Sequence, residues 1–197
     1  MALDWILPDL GPVLTGERVR LRAPRMGDYV EWAELRRVSR EFLQPWEPSW
    51  PVDDLTRGAY RRRVSSAIQD AQTGAAYPFF VFRQADGVLT GGVTLSNVRR
   101  GVAQTASVGY WCGAPFVRYG FTLDAVRAAA AFAFERLGLH RLEAACVPEN
   151  GPSARLLGRA GFREEGLARG YLKINGAWRD HLLFGLLRDD PRAGDGV

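Results

Sequence analysis

The sequence predicts a single mixed α/β domain. Three observations carry that prediction. Strand-like and helical runs succeed one another in the order β-α-α-β-β-β-α-β-α-β-β. Asp86-Gly87 and Asn175-Gly176 are hairpin dipeptides between apolar runs, so they pair neighbouring strands antiparallel. An apolar stretch over residues 121–137 lies between two strands and has the look of a helix buried on a sheet. At 197 residues, 47% apolar and 24% charged, the chain fits one domain with a substantial core.

The first element is a half-buried strand: Val19, Leu21 and Ala23 alternate with Arg18, Arg20 and Arg22, and Pro24 ends it. Asp28 is placed to cap a helix with Trp32, Leu35 and Val38 on one face. A Trp- and Pro-rich loop covers residues 45–51, and Asp53 or Asp54 is placed to cap a second helix running to about residue 71. Residues 79–82 form a strand, and its hairpin partner runs through residues 92–98. Another strand covers residues 106–112. The apolar helix ends at Gly138. Residues 142–147 form a strand bounded by Pro148. Asn150 caps a short helix closed by Gly161. The last two strands flank Asn175-Gly176. Residues 1–14 read as an N-terminal extension, 15–188 as the domain, and 189–197, rich in Asp, Arg, Gly and Pro, as a disordered tail.

The net charge of +4 is that of a surface with excess arginine, or of a protein that attracts anions. No basic run is long enough for direct nucleic-acid binding. Cys112 and Cys146 sit in apolar strands as small hydrophobes, and with two histidines the chain lacks a zinc-like ligand set. The first residues carry two aspartates and no basic region, so they do not read as a secretory signal. No apolar stretch reaches the roughly 20 residues a membrane span needs. A cytoplasmic protein, monomer or homodimer, is the expectation.

The chemistry concentrates between residues 104 and 162. The turn Arg118-Tyr119-Gly120-Phe121-Thr122 runs straight into the apolar helix. Such a turn exposes backbone N–H groups with the positive end of the helix dipole behind them, which suits a phosphate. Arg118 adds a cation, Gly120 permits close backbone approach, and Thr122 adds a hydroxyl. The alternative is an ordinary loop. Asn150 caps its helix, with Ser153 in the first turn; both side chains can also face a cofactor at the mouth of the sheet. Glu143 alternates with apolar neighbours, either as a salt bridge on the solvent face or as a carboxylate handling a proton in a cleft.

These residues resemble the GCN5-related N-acetyltransferase family over about residues 15–188. The resemblance rests on Gly120 and its helix, on Glu149-Asn150-Gly151-Pro152-Ser153-Ala154-Arg155-Leu156-Leu157, and on Ala160-Gly161-Phe162. It implies a mixed, curved sheet of about seven strands with splayed central strands and about four helices. It also implies acetyl-CoA as cosubstrate: pyrophosphate on the turn of residues 118–122, the pantetheine arm near Asn150 and Arg155, and the thioester in the gap. Four segments, at residues 40–48, 95–101, 109–113 and 170–181, are similar to the ribosomal-protein alanine N-acetyltransferase branch. That branch implies an acceptor that is the N-terminal α-amine of a ribosomal protein.

Three positions depart from the family pattern. Val117 stands where the pyrophosphate motif has Gln or Arg. Gly170 stands where a related ribosomal branch has a glutamate base. Leu157 stands where the wider family has a tyrosine acid. The resemblance makes Ser153 the general acid. Glu143, acting through water, is the expected base, with Glu47 second. The N–H groups of Trp111, Cys112 and Gly113 are expected to polarise the thioester carbonyl. Trp46, Glu47, Asn97 and Tyr171 are expected to line the acceptor groove. Rival readings are a small-amine (aminoglycoside or polyamine) acetyltransferase and an acetyl-CoA-binding regulatory protein without turnover.

Overall fold

The computed structural model describes residues 11–191. Its strands are β1 (Leu14–Thr15), β2 (Val19–Arg22), β3 (Tyr77–Arg83), β4 (Leu89–Arg99), β5 (Thr105–Cys112), β6 (Arg141–Cys146), β7 (Arg163–Ile174) and β8 (Ala177–Leu187). The helices are α1 (Tyr29–Val38), α2 (Arg40–Leu43), α3 (Arg57–Thr73), α4 (Phe121–Ala131) and α5 (Gly151–Arg159). The strands form one sheet of eight, ordered β1-β2-β3-β4-β5-β6-β8-β7. Every adjacent pair is antiparallel except β5–β6.

That parallel pair creates a gap in the sheet. β5 and β6 are paired only where residues 105–107 meet residues 141–143. Beyond that point β5 stays on β4 as far as Cys112, opposite Gly91. β6 stays on β8 as far as Cys146, opposite Leu182. The ends of the two central strands therefore diverge, each held by its outer neighbour.

The sheet is covered on both faces. Val93, Leu95, Ala106, Val108, Leu142 and Ala144 pack under Val126, Ala129 and Ala133 of the α4 segment and Leu157 of α5. On the other face Trp32 and Leu35 of α1 and Tyr60 and Val64 of α3 pack on Phe80, Phe82 and Leu89. Strand alternation divides the side chains of β5 and β6 between these two layers.

The expected elements are present, with local differences. Among the described residues the sheet has eight strands and there are five α-helices. The additions are β1, two residues long, and α2, a single turn, both too short to give a periodic signal. Leu14, buried opposite Leu21, belongs to the sheet and not to an extension. Thr56, and neither Asp53 nor Asp54, caps α3 by accepting the Ala59 N–H at 3.2 Å. The two aspartates reach down the helix instead and pair with Arg62 and Arg63. Asp28 makes no side-chain cap on α1. Its carboxylate is taken by the Arg22 guanidinium and the Arg25 N–H. The long apolar helix is regular to Ala131 and finishes as a π-helical turn, Phe132–Arg136. Of the expected tail, Asp190 is tied to Arg163 by an ion pair; residues 192–197 lie outside the described residues, as do residues 1–10 of the expected extension. No described helix is long and apolar enough to cross a membrane.

Candidate active site

The diverging strands deliver two helix N-termini to one end of the sheet. β5 leads through residues 113–120 into α4, and β6 leads through residues 147–150 into α5. At the start of α4 the first intrahelical bond is from the Asp124 N–H to the Gly120 carbonyl, at 3.1 Å. The N–H groups of Phe121, Thr122 and Leu123 therefore precede the helical ladder and point outward. Arg118 and Gly120 both have positive φ, +66° and +80°. At Gly120 the positive φ favours glycine, and a Cβ there would meet the tip of the Arg18 side chain, Nη2 at 2.5 Å, which would have to shift. Arg18 donates from Nη1 to the Tyr119 carbonyl at 2.9 Å and lies over the Phe121 ring. The Asp124 carboxylate accepts the N–H groups of Glu17 and Arg18, which fastens the β1–β2 turn to α4. Arg118 and Arg155 have no ion-pair partner among the described residues. Arg155 lies against Gly151 in the first turn of α5.

The second helix carries the hydroxyl site. The Asn150 side chain accepts the Ser153 N–H at 3.2 Å, a regular N-cap that fixes Ser153 in the first turn. Ser153 Oγ lies 2.7 Å from the hydroxyl of Tyr110, which comes from β5 across the gap. Burial pushes the Tyr110 phenol well above its ordinary range, against a smaller opposing effect of its bond to Ser153. The pair is therefore neutral at physiological pH, with a proton on each oxygen. Burial likewise raises the Cys146 and Cys112 thiols. Both cysteines are free, and they border the gap as neutral groups.

Main-chain direction at the end of β5 is set by its pairing with β4. The Gly113 N–H donates to the Thr90 carbonyl at 2.8 Å. In an antiparallel ladder the direction alternates, so the Trp111 N–H also faces β4 and the Cys112 N–H faces the gap. Of the three donors expected from the sequence, Gly113's and Trp111's are occupied by the sheet, and Cys112's is directed where a thioester carbonyl can use it.

The carboxylates lie on the other face. Glu143 is the last β6 residue paired to β5, opposite Ser107. Its oxygens contact Arg99 at 3.3 Å and Arg141 at 3.2 Å, and Arg141 also binds Glu165. Glu143, Asn97, Ser107 and Tyr171 line a cavity of about 660 Å³. A second cavity, of about 780 Å³, lies between α1, α3 and the loop after α2, and Glu47, Trp50 and Trp111 are among its walls. Glu47 is bound through both oxygens by Arg36 at 2.7 Å, and one of them also accepts Trp50 Nε1 at 2.7 Å. The Arg36 guanidinium is stacked between Trp50 at 4.0 Å and Trp111 at 5.1 Å. The Trp111 indole in turn sits over Gly92, where any side chain would collide with it.

Comparison with known proteins places this arrangement. Residues 18–163 match the model of the acetyltransferase (GNAT) domain. The chain belongs to the GNAT acetyltransferase family. It is 34% identical to the probable N-acetyltransferase YjcK of Bacillus subtilis, over 90% of this chain and 98% of that protein. It is 32% identical to the [ribosomal protein uS5]-alanine N-acetyltransferase of Escherichia coli, over 92% of this chain and 93% of that protein. Mycobacterium smegmatis RimJ in complex with CoA-disulfide superposes with a TM-score of 0.85 at 34% identity, covering 89% of this chain and 87% of that one.

GNAT enzymes use acetyl-CoA, and the residues here fit it. The unpaired Arg118 and Arg155, the open N–H groups of α4 and the side-chain-free Gly120 form a surface suited to phosphates. Val117 contributes no polar group, but Arg18, remote in sequence, braces the same turn. Some residues at this candidate site escape a reading of the sequence. Tyr110 is visible there only as part of the segment at residues 109–113; its place facing Ser153 depends on the fold. Trp46 ends a 3-10 turn and does not line the cavity that Glu47 and Trp50 share. That turn points the chain so that Trp50 takes the wall position. Among the described residues no group of three or more His, Cys, Asp or Glu side chains is placed to hold a metal ion.

Proposed function

We propose that this GNAT enzyme acetylates the N-terminal α-amine of an alanine-initiated ribosomal protein, by direct transfer from acetyl-CoA within a ternary complex. One observation carries the direct-transfer reading. The hydroxyl pair Tyr110–Ser153 lies on the α4–α5 face and the carboxylate-lined cavities lie on the opposite face. The gap between β5 and β6 is the place where the two faces meet. Acceptor and cosubstrate enter from opposite sides, so no relay through a covalent acyl-enzyme is needed. The identity of the acceptor is supported by the similarity to the uS5-alanine enzyme along nearly the whole chain. A ribosomal acceptor would be met in the cytoplasm.

The chemistry needs little assistance. A free α-amine has a pKa of about 7.7–8.0, against about 10.4 for lysine, so roughly a tenth is neutral at pH 7. A weak base suffices, which accommodates Gly170. Glu143 takes the proton through water; its two contacts with arginine are long and leave lone pairs open. The Cys112 N–H polarises the thioester carbonyl. Ser153 protonates the departing thiolate, with the Tyr110 hydroxyl directing it. Arg118, Arg155 and the turn of residues 119–122 hold the phosphates, and Asn150 the pantetheine arm. Glu47, held by Arg36, keeps the Trp50 wall in place and serves the acceptor by shape. Asn97 and Tyr171 border the peptide in the cavity of Glu143.

CoA release tests the reading. An alanine-initiated peptide supports release, and a lysine side-chain peptide, spermidine, an aminoglycoside and buffer alone give at most a few per cent of that rate. Faster turnover of a small amine transfers the assignment to that class. Binding of acetyl-CoA with no turnover of any amine leaves a regulatory protein.

A further inference from the structure

The two cavities on the α3 face share one lining residue, Asp70, in the last turn of α3. It completes a stripe on that helix in which Ala59, Arg62, Arg63, Ser66 and Ala67 also face the larger cavity. Five carboxylates line the two cavities: Glu47, Asp53, Asp54, Asp70 and Glu143. Four of them are bound to arginine: Glu47 to Arg36, Asp53 to Arg62, Asp54 to Arg63, and Glu143 to Arg99 and Arg141. Asp70 has no ion pair among the described residues. Its carboxylate receives the Ser66 hydroxyl at 3.2 Å, which leaves most of its lone pairs open.

We infer that the cavities are two halves of one acceptor trough, and that Asp70, at its waist, captures the acceptor's ammonium group before transfer. The inference rests on the proposed acetylation of an amine and adds the group that recognises the amine. A carboxylate already paired with a guanidinium attracts a second cation less strongly; an unpaired one in a partly desolvated trough forms a charge-assisted hydrogen bond with it. Asp70 is thus an acceptor-binding residue. The walls on either side of it, Trp111 with Thr94 in one cavity and Asn97 with Ser107 in the other, guide the part of the acceptor beyond its amine.

The test combines a protein variant with a ligand variant. With saturating CoA, which carries no acetyl group, dissociation constants are measured for an alanine-initiated peptide and for the same peptide lacking the α-amino group. Wild type binds the amino form about tenfold more tightly. Asp70→Asn brings the ratio near one and leaves the affinities for the des-amino peptide and for CoA unchanged, which also shows that the variant is folded. Ser66→Ala keeps the wild-type ratio. A wild-type ratio near one, or an undiminished ratio in Asp70→Asn, overturns the inference. So does a collapse of the ratio in Ser66→Ala equal to that in Asp70→Asn, which makes Asp70 a support for the helix end. If only a small amine is turned over, the peptide reading falls. The same ratio, between that amine and its hydroxyl analogue, then still decides the role of Asp70.

Discussion

The Tyr110 hydroxyl and Ser153 Oγ stand 2.7 Å apart across the gap between the central strands. One comes from β5, the other from the first turn of α5, and their contact joins the two structures that flank the site. In the proposed mechanism this contact brings a phenol to α5 from the sheet, while Leu157 on the same helix offers no hydroxyl.

If Ser153 is the acid and Tyr110 directs it, removing either should cost turnover. Ser153→Ala is expected to lower kcat by about a hundredfold, within the range for a lost general acid. Tyr110→Phe should lower kcat about tenfold, with an unchanged KM for acetyl-CoA. The double variant should be no slower than Ser153→Ala, because the two act as one unit. Multiplied losses would separate them. A loss of less than a few-fold in Ser153→Ala removes the acid assignment.

The pH profile carries a second expectation. Burial raises the Tyr110 phenol above its ordinary value, so its neutral form persists to higher pH than that of a free tyrosine. The kcat profile should therefore show no basic limb from this group below about pH 10, the ordinary tyrosine value. A limb near pH 8–9 that vanishes in Tyr110→Phe contradicts the buried, neutral pair.

Glu143→Gln isolates the base. Without the carboxylate, only amine that is already neutral can react. The deficit in kcat/KM should be largest at low pH, about tenfold at pH 7, and should shrink as pH rises through the amine pKa of about 7.7–8.0. A profile that matches wild type in height and shape removes Glu143 from the mechanism.

The buried pair Arg36–Glu47 makes a prediction about stability. The Arg36 side chain is 9% exposed and that of Glu47 20%. Removing the cation leaves a carboxylate in a largely closed setting and two indoles without the plate between them. Arg36→Ala should cost roughly 3 kcal/mol, or a Tm lower by roughly 6–12 °C for a chain of this size. Thermal unfolding monitored by circular dichroism checks it; a change under 2 °C means the pair is a surface feature.

Local chemistry is the legible part of this chain. Gly120, Asn150, Asp86-Gly87 and Asn175-Gly176 each announce a backbone geometry through their own residue type. Periodicity announces the strands and longer helices. The hidden part depends on where remote segments meet. Asp53 and Asp54 look like caps because sequence shows nearness to a helix start, while their pull towards Arg62 and Arg63 is a matter of three dimensions. Trp46 and Trp50 are equivalent in a Pro-rich loop until a 3-10 turn decides which faces the cavity. Trp111 and Gly113 look as available as Cys112 until β4 takes their N–H groups. Asp70 is an ordinary helical aspartate until two cavities meet at it.

The central claim is transfer to an alanine α-amine, and steady-state acetylation of matched peptides tests it most directly. Two peptides differ only at the amine: one starts with a free alanine, the other is blocked at its N-terminus and offers a lysine side chain. The account predicts that the free alanine is acetylated with kcat/KM at least about a hundredfold higher at pH 7, with mass spectrometry placing the acetyl group on the terminal nitrogen. The pKa difference between the two amines accounts for the order of that ratio. Equal rates, or acetylation of the lysine alone, would contradict it.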